Sequence, residues 1–293
     1  MNARVNFAKV CLLGLFAGLG SLVMADAKPV PLLQIQASKV PTVSELVNTL
    51  KIADVIDVMR QEGLQYGDSM EQDLFSGDAG AGWAAAVEAI YDEPTMRARF
   101  EGAFGAALKG SDADLAAMEG FFASDLGQRI LTLEIEARRS LMDQAVEDAA
   151  QARVEDMMAE AAPRIEALQT FSDTNDLVEL NIAGAMNANL AFFQGLAEVG
   201  GAAGEMSEQD MLANVWGQEA DIRAETEAWV LPYLALAYGP LSDAELADYI
   251  AFSKSEAGQK LNHALFSAFD TVFTQISRDL GRAAGKQMMG EDI

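Results

Sequence analysis

Histidine, the side chain that most often carries acid–base or metal chemistry, occurs once in this 293-residue sequence, as His263. A His-based metal site or a Ser-His-Asp triad would have to be built around that one residue. No Gly-x-Ser-x-Gly sequence of the kind that presents a nucleophilic serine accompanies it. We therefore interpret His263 as a surface or packing residue, and we predict no catalytic residue, no metal ligand and no cofactor.

The only cysteine, Cys11, lies in an apolar stretch near the amino terminus. It could mimic a lipoprotein acylation site, but Ala8-Lys9-Val10 before it matches that pattern poorly. If the apolar stretch is removed, the mature chain has no thiol. Disulfides, zinc thiolates and cysteine catalysis are then excluded, and the fold depends on its core alone.

Carboxylates are abundant: 45 acidic residues against 20 basic ones give a formal charge of −25. Such a surface repels nucleic-acid phosphates, so we predict no nucleic-acid partner. We interpret the charge as a solvated exterior, with attraction of a basic partner as the alternative. A carboxylate pair for hydrolysis also stays open. No twelve-residue calcium loop is present.

The most distinctive motif is a glycine-glutamine pair followed by a basic residue, at Gly127-Gln128-Arg129 and again at Gly258-Gln259-Lys260. A ligand at the positive end of a helix is one interpretation. The other is a tight corner between a short and a long helix, in which glycine lets the backbones approach and glutamine bonds to carbonyls left unpaired at a helix end. Occurrence in both places favours the corner.

The motif belongs to a longer repeat with an offset of 131 residues. Residues 112–130 and 243–261 share eight identities in nineteen positions. The same register relates Glu45-Leu46-Val47 to Asp176-Leu177-Val178. We predict a tandem duplication, with one unit at 42–162, a linker at 163–175 and a second unit at 176–293.

The elements that must position these residues are helices, because strand-like alternation is scarce and helix formers are common. A Thr42–Glu45 capping box predicts a helix that runs to Gly63. Pro94 opens another helix, which Gly110 ends. Ser111 and Ser242 are expected to cap the two short helices. Each long helix carries a predicted apolar stripe: Ile130, Leu133, Ala137, Leu141, Ala145 and Ala149 in the first, and Leu261, Ala264, Ala268, Val272, Ile276 and Leu280 in the second.

Two glycine-rich stretches, 77–82 and 200–204, are predicted loops, since no strand or phosphate-binding lysine accompanies them. The adjacent methionines Met157-Met158 and Met288-Met289 could suggest a soft-metal site. We expect them instead to pack against the other unit.

The amino terminus has the layout of a secretory signal peptide. Arg4 and Lys9 precede an uncharged apolar segment at 10–23, and small residues follow. We predict a signal peptide at 1–25, cleaved after Ala25 or Ala27, and a periplasmic protein. No segment of the mature chain is apolar enough to span a membrane.

The repeated pattern, a short serine-capped helix followed by Ser-x-x-Gly-Gln-Arg/Lys, resembles the bacterial exported family called domain of unknown function 2059 (DUF2059), here in two tandem copies. Two positions depart from that family. Its tyrosine is Phe122 or Ser253, and its proline is Asp125 or Glu256, so neither copy could supply a reactive tyrosine. The resemblance implies an all-helical envelope protein without an established activity. The motif residues, which we predict to be structural, are Ser111, Phe121, Ser124, Gly127, Gln128, Arg129, Ser242, Phe252, Ser255, Gly258, Gln259 and Lys260.

These observations predict an exported, all-α, non-catalytic protein that binds an unknown protein or assists in the envelope. The alternatives are a carboxylate-dependent hydrolase and a carrier that holds a small apolar ligand between helices.

Overall fold

A computed structural model describes residues 41–75, 80–200 and 206–290. The predicted signal peptide and Cys11 lie outside these ranges, as do 77–79 and 201–204 of the predicted glycine loops. Within the described ranges the chain is helical and contains no strand, which confirms the all-α prediction. The helices are α1 (Val43–Thr49), α2 (Ile52–Phe75), α3 (Gly80–Ile90), α4 (Glu93–Ala107), α5 (Asp112–Phe122), α6 (Asp125–Ser140), α7 (Gln144–Ala159), α8 (Pro163–Thr174), α9 (Leu177–Glu198), α10 (Glu208–Trp216), α11 (Glu219–Tyr238), α12 (Asp243–Ser253) and α13 (Glu256–Met289).

The centre of the fold is α13, whose most extensive contact is with α9 and whose next is with α4. Every residue of its predicted stripe is buried. Three glycines let α9 and α13 approach closely: a Cβ on Gly195 or Gly281 would lie 2.1 or 2.2 Å from a carbonyl oxygen of the other helix, and one on Gly285 would lie 2.2 Å from Val199. Within the described ranges, no helix is both long and apolar enough to cross a bilayer.

The long helix predicted after Ser124 is interrupted. Helix α6 ends at Ser140, and the Asp143 side chain accepts a hydrogen bond from the Ala145 amide at 2.8 Å to begin α7. An N-cap aspartate favours a new helix start over continuation. The predicted stripe is therefore wrong beyond Leu141: Ala145 and Ala149 are exposed, and α7 buries other residues, namely Ala150 and Val154.

The amino-terminal helix also differs from its prediction. The Thr42–Glu45 capping box is present, but α1 ends at Thr49, and Lys51 adopts a φ of +53° before α2 begins. Helix α2 continues through Gly63, where a Cβ would lie 2.1 Å from the Tyr91 ring. Gly63 therefore permits a close helix contact and does not end a helix.

Residues 163–175, predicted as a linker, form helix α8 and its cap. Pro163 is the first residue of the helix, while Ile165, Leu168 and Phe171 are buried. Asp176, at the junction with α9, has a φ of +49°, like Lys51 at the junction of α1 and α2. The segment is thus an integral part of the core.

Helices α1–α7 and α8–α13 form two sets with corresponding elements, which we call the first and second helix sets. The bounds of α5 and α12 are 131 positions apart, and α6 and α13 begin 131 positions apart. The pair α2 and α9 begins 125 positions apart, at Ile52 and Leu177. The register of 131 therefore relates the motif helices but does not align the starts of α2 and α9.

Two smaller predictions are corrected. Ser111 precedes α5 but makes no side-chain capping bond, whereas Ser242 forms a complete capping box with Glu245.

The methionine pairs are mostly exposed, with Met158, Met288 and Met289 between 37% and 47% accessible, so the predicted packing against the other unit is wrong for them.

Candidate functional site

The motif residues build two matching corners. The Ser124 hydroxyl accepts a hydrogen bond from the Gly127 amide at 3.1 Å, and Ser255 accepts one from Gly258 at 3.0 Å. A Cβ on Gly127 would lie 2.3 Å from the carbonyl oxygen of Phe121. The glycine therefore lets α6 begin directly against the end of α5.

Each motif glutamine links two helix ends. The Gln128 amide nitrogen donates to the carbonyls of Thr49 and Phe122 at 2.9 and 2.8 Å. Gln259 donates to Thr174 and Ser253, both at 3.0 Å. These carbonyls lie at helix carboxyl ends, where backbone acceptors lack partners within the helix. Both glutamine side chains thus donate to carbonyls at the carboxyl ends of two helices.

The two corners face one another. Phe121 and Phe252 stack with ring centroids 4.2 Å apart and planes at 13°. Arg129 contacts Glu245 at 2.5 Å, and Lys260 contacts Asp114 at 2.6 Å. Each partner pair connects equivalent positions of the two helix sets, as in a two-fold symmetric interface. These motif side chains are occupied by contacts between the sets.

A groove lies outside the motif, between α9 and α13. We call it the α9–α13 groove. Its volume is about 340 Å³, within the range of sites for small molecules. Its floor includes the buried rings of Phe269 and Phe273, and the exposed side chain of His263 lies at its edge. The lining residues are Leu180, Ala183, Gly184, Asn187, His263, Phe266, Ser267, Phe269, Asp270 and Phe273.

Asp270 is the one carboxylate among these lining residues. Its Oδ1 accepts a hydrogen bond from the Asn187 side chain at 3.0 Å. Burial raises the pKa of the Asp270 carboxyl, and the Asn187 bond opposes this shift only in part. The groove therefore combines apolar walls with a partly desolvated acid.

A second groove lies between α2, the α6–α7 junction and α11, so side chains of both helix sets line it. Its volume is also about 340 Å³, but its chemistry differs. Arg138 makes a two-bond ion pair with Glu62, at 2.7 and 2.6 Å, and both side chains are largely buried. Trp229, stacked on Tyr233 with centroids 4.8 Å apart, forms another wall.

The ion pair of the second groove has no charged equivalent in the α9–α13 groove. At the offset of 131, Arg138 corresponds to Phe269. At the offset of 125 that relates the starts of α2 and α9, Glu62 corresponds to Asn187. The two grooves therefore differ in charge at these positions.

One turn before Arg138 on α6 lies a fully buried carboxyl group, Glu134. Its Oε1 accepts hydrogen bonds from Tyr238 at 2.7 Å and Tyr249 at 2.9 Å. Burial raises the Glu134 pKa to about 8, against the lowering effect of the two tyrosine bonds. At neutral pH the group is therefore mostly protonated.

Neither the grooves nor the Glu134 cluster was predicted from the sequence. One signal could have found Glu134: an acidic residue among the apolar positions Ile130, Leu131 and Ile135 of α6, where the repeat places Leu265 in the other copy. Asp270 gave no such signal, because aspartates are common on exposed helix faces.

Residues 95–169, which include the first motif corner, match the family described as "Uncharacterized protein conserved in bacteria (DUF2059)". The match supports the resemblance to this family over those residues, but it does not extend to the second motif corner and so does not support two tandem copies. No curated protein and no solved structure matches the chain.

Proposed function

We propose that this chain is an exported, periplasmic, non-catalytic binding protein that holds a small ligand in the α9–α13 groove. The observation that carries the proposal is the groove itself: a concave site between two helices, lined mainly by apolar and aromatic side chains, with few polar groups. Such a composition is typical of small-molecule sites. It favours the small-ligand alternative over a flat protein–protein surface.

We also propose that the two helix sets arose by tandem duplication. Three features support this origin. The bounds of α5 and α12 are offset by the same 131 positions, each motif glutamine makes the same pair of bonds, and the contacts between the two corners are reciprocal. The two grooves share three equivalent lining positions and differ in side chain at each, as expected when one copy keeps or acquires a ligand while the other acquires a different role. The pairs are Glu62 and Asn187, Arg138 and Phe269, and Met142 and Phe273.

A hydrolase would need a second acid or a base placed to assist Asp270. Asp270 is the one carboxylate that lines the α9–α13 groove, and it accepts its hydrogen bond from Asn187. His263 and Ser267 line the same groove, but within the described ranges no hydrogen bond joins His263 to Asp270 or to Ser267. The Glu134 carboxyl is buried and accepts hydrogen bonds from two tyrosines. The geometry therefore supports binding over carboxylate-dependent hydrolysis.

Native mass spectrometry of protein purified from the periplasmic fraction tests the proposal. The protein should begin at Asp26 or Lys28 and carry a bound small mass. Ala183→Trp, which fills the groove from an exposed position, should remove that mass. Ala224→Trp, an equal enlargement at an exposed position of α11, should keep it.

Two results would overturn the proposal. Equal retention of the mass by Ala183→Trp would place the ligand elsewhere. Turnover of ester, amide or phosphoester substrates that is lost in Ala183→Trp and kept in Ala224→Trp would show that the groove is catalytic.

A further inference from the structure

We propose that the ligand of the α9–α13 groove is an organic cation, a protonated amine or quaternary ammonium group on a small apolar body. This inference rests on the proposed function and names the chemical class of the ligand. It starts from the position of one carboxylate, Asp270, on a wall otherwise formed by aromatic, aliphatic and uncharged polar side chains and by His263.

The acids near the carboxyl-terminal ends of α9 and α13 are paired with arginines. Glu198 of α9 contacts both Arg278 and Arg282 of α13. Asp279 contacts Arg282 at 2.8 Å and Arg99 of α4 at 3.6 Å. The fold thus neutralises acids along this contact with its own cations.

Asp270, unlike these acids, has no arginine partner within the described ranges. Its carboxyl accepts a hydrogen bond from Asn187, a neutral donor, and within the described ranges it forms no ion pair with a lysine, arginine or histidine. A partly buried carboxylate that is not paired with a cation is costly, and an added cation would remove much of that cost. A ligand can supply the positive charge that would pair with the Asp270 carboxylate.

The aromatic rings fit the same ligand class. Phe266, Phe269 and Phe273 follow one another at three- and four-residue spacing along α13, on the face that carries Asp270. Phe269 and Phe273 are buried, and Phe269 packs on Phe100 of α4 with ring centroids 4.6 Å apart, so Phe266 offers the most ring surface to a ligand. Ring faces attract ammonium groups. A cation with an apolar body can therefore place its charge at Asp270 and its hydrocarbon part against Phe266 and the aliphatic wall.

The first helix set supports this assignment by contrast. The position equivalent to Asp270 at the offset of 131 is Arg139, which lies outside the lining of the second groove and pairs with Asp57 at 3.2 Å. The first helix set thus carries its own guanidinium at the place where the second has a carboxylate. An organic cation should therefore bind in the second helix set and not at the equivalent place in the first.

Titration calorimetry with three probes of equal chain length tests the inference: octyltrimethylammonium, octyl glucoside and octyl sulfate. Measurements below the micellar concentration, at about 150 mM salt, limit attraction to the general negative surface. The cation should bind the wild-type chain at least about tenfold more tightly than the neutral probe, and the anion should bind most weakly. Asp270→Asn should weaken cation binding by about tenfold or more and leave the neutral probe unchanged.

The controls separate this inference from the proposed function. Asp248→Asn removes one exposed acid of α12 and should leave cation binding as in the wild type. If all probes bind equally to the wild type and all are lost in Ala183→Trp, the groove is a binding site and the cation inference is wrong. If Ala183→Trp changes nothing, the proposed function itself fails. Equal losses of cation binding in Asp270→Asn and Asp248→Asn would show attraction by surface charge alone.

Discussion

Glu134 is a buried carboxyl group at a position where the second helix set carries Leu265. One of its oxygens accepts two tyrosine hydroxyls from α11 and α12, so the group connects the first helix set to the second. A protonated carboxyl avoids most of the cost of burying a charge and still accepts these bonds. The residue therefore contributes a buried polar link between the two helix sets.

The raised pKa of Glu134 predicts a pH-dependent stability. The folded chain keeps the proton up to about pH 8, whereas the unfolded chain releases it near the ordinary glutamate pKa of 4.5. The folded state thus binds more protons in this window, so the free energy of unfolding falls as pH rises from 4.5 towards 8. The loss is on the order of 4 kcal/mol by pH 8.

Urea unfolding of Glu134→Gln at a series of pH values measures this contribution. Glutamine keeps an acceptor for the tyrosines and cannot titrate, so the variant should lose that part of the pH slope and gain stability relative to the wild type as pH approaches 8. Glu136→Gln, an exposed site on the same helix, should keep the wild-type slope. Parallel profiles for Glu134→Gln and the wild type would show that Glu134 does not titrate in this window.

At the scale of elements, the α5–α6 corner depends on the absence of a side chain at Gly127. Alanine there would bring a Cβ to 2.3 Å from the Phe121 carbonyl and 2.6 Å from the Phe122 Cα, both of them backbone atoms. The two helices would have to move apart. We expect Gly127→Ala to lower the free energy of unfolding by about 1–3 kcal/mol.

Gly102→Ala is the matched control. Gly102 lies in α4, where an added Cβ would have no atom of a neighbouring element within 4 Å, and alanine there should stabilise the chain by up to about 1 kcal/mol through helix propensity. Chemical denaturation of both variants gives the comparison. A neutral or stabilising Gly127→Ala would contradict the tight corner.

The motif helices could be predicted from the sequence because their determinants are local. Ser242 with Glu245, and Ser255 three residues before Gly258, cap helices through bonds within one turn. The carboxyl-terminal ends of α1 and α6 could not be predicted in this way. Lys51 takes a left-handed conformation that its residue type does not favour, and Asp143 begins a helix where its counterpart Thr274 lies inside one.

The two grooves could not be predicted from the sequence, for a different reason. Asn187 and Asp270 are 83 positions apart, and their meeting depends on how α9 packs along α13. Periodicity places each residue on a helix face but does not state which helix that face meets. The repeat indicated the corners, while the lining of a cleft required the tertiary arrangement.

At the scale of the whole molecule, the two helix sets meet through reciprocal contacts. The stack of Phe121 on Phe252 joins equivalent residues, and the Arg129–Glu245 and Lys260–Asp114 pairs are equivalent to each other. The exposed ion pairs contribute little individually. The aromatic stack, which is half-buried, should contribute more of the docking energy.

A double-mutant cycle on that stack tests whether the two sets dock in solution as described. Phe121→Ala and Phe252→Ala should each destabilise the chain, and the double variant should lose less than their sum, with a coupling energy on the order of 1 kcal/mol. The control cycle pairs Phe252→Ala with Phe75→Ala, because Phe75 packs against Trp83 in the first helix set. That cycle should be additive. Additivity in the Phe121–Phe252 cycle as well would mean that the rings do not meet in solution, and the reciprocal arrangement of the two helix sets would then be wrong.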